Sequence, residues 1–164
     1  MIAGDRVSVT VTVAVPPARA FAAFTEEIDR WWRRGLAYRV AGRRPGMLVL
    51  EPRAGGRLFE QYDGPTPGDG PRIHEAGTIT VWDPPSRLAF DWRGANFQPG
   101  ELTHVEIVFT PTEAGTRLDL VHSGFAALRP DHPVRHGEPV PAFIRRLGMW
   151  WGDLLSSLRE HVLA

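Results

Sequence analysis

Between residues 47 and 122 the chain carries six short alternating segments, separated by turns too short to hold a helix. They span residues 47–51, 57–62, 74–82, 87–93, 102–110 and 117–122. The breaks carry turn formers: Gly55-Gly56, the Gly/Pro/Asp stretch 63–71, Pro84-Pro85, residues 94–100, and Glu113-Ala114-Gly115. Strands that follow one another with no room for a crossover helix must pair antiparallel. Residues 5–15 add a seventh strand, because Val7, Val9, Val11, Val13 and Val15 alternate with small or polar residues.

Helices flank this sheet in sequence. Pro16-Pro17 ends the first strand, and Pro17 opens a helix in which Phe21 and Phe24 share a face. Thr25-Glu26-Glu27 reads as a second start, with Thr25 as N-cap, and that helix carries Ile28, Trp31 and Trp32. Residues 33–44 are Arg-rich and weakly patterned, an irregular connection. After Gly124 a Pro-rich loop runs to Pro141, the expected first residue of a long helix. From there Phe143, Ile144, Leu147, Trp150, Trp151, Leu154, Leu155, Leu158 and Val162 recur at three- and four-residue steps. The fold class expected is α+β: a curved antiparallel sheet of about seven strands wrapped around a C-terminal helix, as a single domain over residues 1–164. Seven strands facing one helix leave space that large side chains or a ligand must fill.

Composition narrows the chemistry. At 164 residues and 43% hydrophobic, the chain is able to bury a real core. Nineteen basic residues balance nineteen acidic ones, so nothing global steers it toward nucleic acid or a membrane surface. Cysteine is absent, which removes disulfides, thiolate metal sites and a Cys nucleophile. Lysine is absent too, which removes Schiff-base chemistry and a P-loop lysine. No signal peptide and no membrane-spanning run is visible, and the cytoplasm is the default location. No phosphate loop, G-x-S-x-G or H-E-x-x-H occurs.

The order of elements and several local motifs resemble the START-like (SRPBCC) superfamily. Within it the chain looks most like the branch named after the C-terminal domain of the activator of the ninety-kilodalton heat-shock protein's ATPase. The carrying residues are Val15-Pro16-Pro17-Ala18-Arg19-Ala20-Phe21, Trp31-Trp32 and the stretch from Glu51 to Glu60. Gly77-Thr78-Ile79, the stretches from Trp82 to Leu88 and from Gly115 to Phe125, Phe90-Asp91-Trp92 and the terminal Trp-rich helix continue the match. The resemblance covers nearly the whole chain and implies a helix-grip fold with a cavity for a hydrophobic molecule. It carries over no fixed catalytic set, and a bacterial-type protein is implied.

Strand parity then names a lining for that cavity: Ile79, Val81, Leu88, Phe90, Trp92, Val105, Ile107, Phe109, Leu118, Leu120 and His122, with Leu147, Trp151 and Leu155 from the helix. His122 shares the parity of Leu118 and Leu120 and is the one candidate for orienting a ligand or acting as general base. His104 has the opposite parity and belongs outside. Glu51, Arg53, Arg57 and Glu60 around the Gly-Gly turn read as a surface ion-pair network. His132 and His136 are four apart but lie among Pro and Gly, so no metal is expected, and no cofactor. Arg30, Arg33, Arg34, Arg39, Arg43 and Arg44 read as a solvated basic run. The loops 63–72, 94–101 and 124–141 are expected to gather as an entrance. The expected activity is binding of a small hydrophobic molecule by a monomer or weak homodimer, with no nucleic acid and no membrane as partner. A cyclase, dehydratase or isomerase using the same cavity is the enzymatic alternative, and a chaperone-associated interaction module the other.

Overall fold

In the computed structural model, which describes residues 5–163, β1 (Arg6–Val13) leads through α1 (Pro17–Glu26) and α2 (Ile28–Trp31) into the sheet proper. There follow β2 (Gly46–Leu50), β3 (Arg57–Asp63), β4 (Pro71–Asp83), β5 (Arg87–Trp92), β6 (Thr103–Thr112) and β7 (Gly115–Ser123). The chain ends in α3 (Val140–Leu163), 24 residues long. The strands lie in the order β1-β7-β6-β5-β4-β3-β2, antiparallel throughout, and the sheet curls into a half-barrel around α3. The α+β architecture with an antiparallel sheet is the one the order and spacing of the elements implied, and its helix-grip form the one the resemblance implied.

Two glycines make the tight places possible. A Cβ at Gly77 would stand 1.6 Å from the Asp91 carbonyl oxygen, so only glycine lets β4 and β5 approach there. Gly115 opens β7 at φ 145°, where a Cβ would meet the Val13 carbonyl oxygen at 2.2 Å. At the other end of β1, Pro16 and Pro17 turn the chain, and the Pro16 carbonyl accepts the first α1 bond from Ala20 at 3.0 Å. Thr25 is not an N-cap. It lies inside α1, buried, and its hydroxyl donates to the Phe21 carbonyl at 2.8 Å. Burial won over capping, because Glu27, not Thr25, stands at the break between α1 and α2.

Register rows show how the sheet's concave face is filled. One row runs Val7, His122, Val105, Phe90 and Ile79 across five strands, and the next runs Val9, Leu120, Ile107, Leu88 and Trp82. Phe21 and Phe24 of α1, Ile28 and Trp31 of α2, and Trp151, Leu154, Leu155, Leu158 and Val162 of α3 press into these rows. A second, smaller cluster gathers Phe97, Phe125, Leu128 and Phe143, tying two loops to the first turn of α3. Ile144 and Leu147 bridge the two clusters. The helix therefore meets two environments: its C-terminal half is sealed into the core, while its N-terminal half stands over open space.

Candidate functional site

That space is a cavity of about 840 Å³, large enough for a drug-sized molecule. Its floor is the end of the sheet carrying Leu48, Glu60, His74, Ala76 and Trp92. The connection from Trp32 to Val40 makes one wall. Loop residues 94–97 together with Phe125, Val134, His136 and Glu138 make the other, and α3 from Ala142 to Asp153 covers it.

The Arg-rich connection is an ordered wall, sewn to its neighbours by side chains. Trp150 Nε1 donates to the Ala37 carbonyl at 2.6 Å, and Trp32 Nε1 to the Tyr38 carbonyl at 3.1 Å. Tyr38 stacks on Trp150 with centroids 5.9 Å apart and donates its hydroxyl to Asp153 at 3.2 Å. Trp32 in turn packs against Trp92 and Trp150, each at 5.8 Å. The cavity thus has a rigid aromatic side, since each ring is held by a polar tip or a neighbouring ring.

The expected basic run is exposed at Arg30, Arg33, Arg34 and Arg43 but is not solvated throughout. Arg39 is buried: it donates to Asp29 Oδ1 at 2.6 Å and to the carbonyls of Arg33, Asp29 and Trp32. Arg33 donates to the Asp153 carbonyl, Arg34 lies near Asp29 and the Gly46 carbonyl, and Arg44 donates to the carbonyls of Ala41 and Asp63. Carbonyls left without partners by an irregular segment explain the need for arginine forks there.

Of the residues expected to line the cavity, Trp92, His122 and Leu147 do so. Ile79, Phe90, Val105, Ile107, Phe109, Leu118, Leu120, Trp151 and Leu155 are instead nearly or wholly buried in the main core, packed by α1, α2 and the far half of α3. Val81 is half-buried and on the opposite face. An irregularity between Ile79 and Val81 shifts the register, so Val81 pairs with Ala89 while Trp82, opposite Leu88, turns inward against Phe21. Of the three loops, 94–101 and 124–141 border the cavity, while the β3–β4 turn does not.

His122 forms part of the cavity wall with both nitrogens engaged. Trp151 Nε1 donates to its Nδ1 at 3.0 Å, which places the ring proton on Nε2. Nε2 then donates to Thr103 Oγ1 at 2.7 Å, and that hydroxyl donates to the Trp92 carbonyl at 3.0 Å. Burial, with a smaller contribution from His104, pushes the imidazole down to about 3. Such a group is a structural relay and has no nitrogen free for a ligand. His104 is on the outer face as expected, bonded to Asp91 at 2.9 Å. His132 is buried and bonded to Glu101 at 3.1 Å, its other nitrogen accepting from the Val134 amide. Among the described residues no group of three or more His, Asp or Glu is arranged to hold a metal.

The cavity residue that sequence reading misplaced is Glu60. Glu51 does pair with Arg53 and Arg57 near the surface, but Glu60 points away from them, only 4% exposed. Its two oxygens accept from the amides of Val40 and Ala41, each at 2.8 Å, fastening the aromatic wall to the floor. His74 stands directly across from it on β4. Burial, opposed by a backbone hydrogen bond at Arg93 and by the Glu60 charge, moves that imidazole below its ordinary value. A signal was present: Glu60 shares the strand parity of Leu58, an apolar position.

A model of the family described as activator of Hsp90 ATPase homolog 1-like protein matches residues 14–147. None of the curated proteins is similar to the chain. Among solved structures, a Rhodobacter sphaeroides protein is similar over 98% of this chain and 93% of its own, at 20% identity and a TM-score of 0.64. An Hsp90 activator from Plasmodium falciparum is similar over 96% of both chains, at 17% identity and a TM-score of 0.63. A Mesorhizobium loti protein is similar over 94% of both, at 20% identity and 0.61. At these identities the likeness concerns the fold alone. Among the described residues no helix is long and apolar enough to cross a membrane.

Proposed function

The chain belongs to the activator of Hsp90 ATPase homolog 1-like family, and from that premise we propose that it binds a small hydrophobic molecule in the cavity beneath the N-terminal half of α3. The observation that carries this reading is the aromatic wall of Trp32, Tyr38, Trp92 and Trp150, held rigid around open space that a core of this kind would otherwise fill. Preformed apolar surface costs little ordering on binding, so burial of the ligand goes largely into affinity. Covering about 250 Å² of apolar ligand surface contributes roughly 6 kcal/mol before association costs, which supports micromolar binding. Exposed Leu36 and Met149 at the rim offer an apolar path inward.

The enzymatic reading loses its candidate base, since His122 has both nitrogens engaged. The test is calorimetric titration with naphthylethanol, a neutral aromatic probe. Wild type is expected to bind at micromolar concentration, and Ala142→Trp, which places an indole in the cavity, to weaken binding by at least about 10-fold. Absence of binding by wild type, or equal binding by the variant, would remove the cavity as the site. Ile107→Trp is not an equivalent block, because Ile107 is fully buried in the core and a larger ring there overpacks it.

A further inference from the structure

Resting on that reading, the polar end of the cavity says what kind of ligand it takes. Glu60 is a carboxylate on the cavity floor, 96% removed from solvent on its 4% exposure, and its partners are two neutral amides. A buried carboxylate ordinarily has a cation beside it, because amide bonds alone replace only part of the lost hydration. Among the described residues no Arg or His makes an ion pair with Glu60. Of the nearby cations, Arg39, which also lines the cavity, is held by Asp29 and three carbonyls. Arg93 donates to the Phe97 carbonyl and makes no ion pair with Glu60. His74, across the strand pair, has its imidazole shifted toward the neutral form by burial.

We infer that the missing cation belongs to the ligand: the cavity takes an apolar, aromatic-sized molecule bearing a protonated amine, whose N–H groups bond Glu60 while its body lies along Trp32, Trp92 and Trp150. Both halves of the site favour the same chemistry. A charge-assisted hydrogen bond to a desolvated carboxylate is stronger than a neutral one, and the π faces of the indoles attract an ammonium that passes over them. A hydroxyl would satisfy one lone pair of Glu60 and leave its charge unmatched. A ligand carboxylate would place two like charges together. The exposed Arg145 and Arg146 at the rim argue for an anion, but Arg146 is paired with Glu138, and water screens both where Glu60 is shielded.

Three probes with one ring system decide this by calorimetry: naphthylethylamine, naphthylethanol and naphthylacetate. Wild type is expected to bind the amine at least about 10-fold more tightly than the alcohol and the acetate most weakly. Glu60→Gln, which removes the charge and keeps one of the two acceptors for the wall amides, is expected to bind amine and alcohol alike. Glu160→Gln, at an exposed carboxylate of α3 outside the cavity, is expected to keep the amine preference. Equal wild-type affinity for amine and alcohol overturns the inference while leaving hydrophobic binding in place, and a purely structural Glu60 would give that result. Preference for the acetate, or loss of the amine preference in Glu160→Gln, also overturns it. Should Glu60→Gln fail to fold, the wild-type ratio and the Glu160 variant still decide. Binding of none of the probes overturns the cavity reading and this inference together.

Discussion

Replacing Trp151 by alanine is expected to lower the stability of the protein by about 3–5 kcal/mol. The indole is fully buried where the two environments of α3 meet, with ring centroids 5.7 Å from Trp32 and 5.0 Å from Trp150. Truncation removes those contacts and leaves a void that a close-packed core closes only in part. It also strips the buried Nδ1 of His122 of its donor. Trp151→Phe separates the two effects: most of the packing stays, and loss of the hydrogen bond alone should cost about 1–3 kcal/mol. Met149, two residues earlier on the same helix, is 65% exposed, and its alanine variant should change stability by less than about 0.5 kcal/mol. Urea unfolding monitored by circular dichroism gives all three values, provided the slope with denaturant is unchanged. A loss below about 1 kcal/mol for Trp151→Ala would mean that the indole is not part of the packed core.

The contrast between Trp151 and Met149 shows what was legible in the sequence. Apolar spacing of three and four residues marked the buried stripe of α3 because helix geometry is set locally, and Leu154 and Leu155 are both buried as that spacing required. Alternation likewise located the seven strands, with ends moved by a few residues where strand pairing extends past the alternating stretch, as at Pro71–Asp83. Parity failed at Val81, where the register shift exchanges the two faces of β4. It failed differently for Ile107 and Leu118. Their inward face is correct, but parity cannot say which part of a concave face the helices cover. Coverage is set by α1, α2 and the far half of α3, which meet those strands over long sequence separations. Glu60 was misread for the same reason: a charge beside a Gly-Gly turn looks like a surface residue until the wall that covers it has folded over. Segment 33–44 gave no periodic signal because its order comes from side-chain bonds to carbonyls, not from a repeating backbone pattern.

Acid should destabilise the protein in a window that identifies His122. Burial holds its imidazole at about 3 in the folded state, against an ordinary value of 6.5. Between those values the unfolded chain binds a proton that the folded chain refuses, so stability is fully present above about pH 6.5 and falls as pH drops toward 3. The slope approaches 1.4 kcal/mol per pH unit for one such group, or roughly 2 kcal/mol between pH 6.5 and 4.5. The shifted carboxylates act lower down. Glu27, held by Arg19, and Glu101, held by Arg129, are both pulled to about 2 from 4.5, so their contributions are lost only as pH falls below about 4.5. His74 is shifted in the same direction as His122 and shares the upper window, which makes a variant necessary. His122→Gln keeps a group able to meet Trp151 or Thr103 but does not titrate. It should be less stable than wild type at pH 7, yet lose clearly less than wild type on going from pH 6.5 to 4.5 in urea unfolding. Equal losses in the two proteins would assign the acid sensitivity to His74, and no loss in wild type would mean that the relay from Trp151 through His122 to Thr103 takes up a proton without breaking.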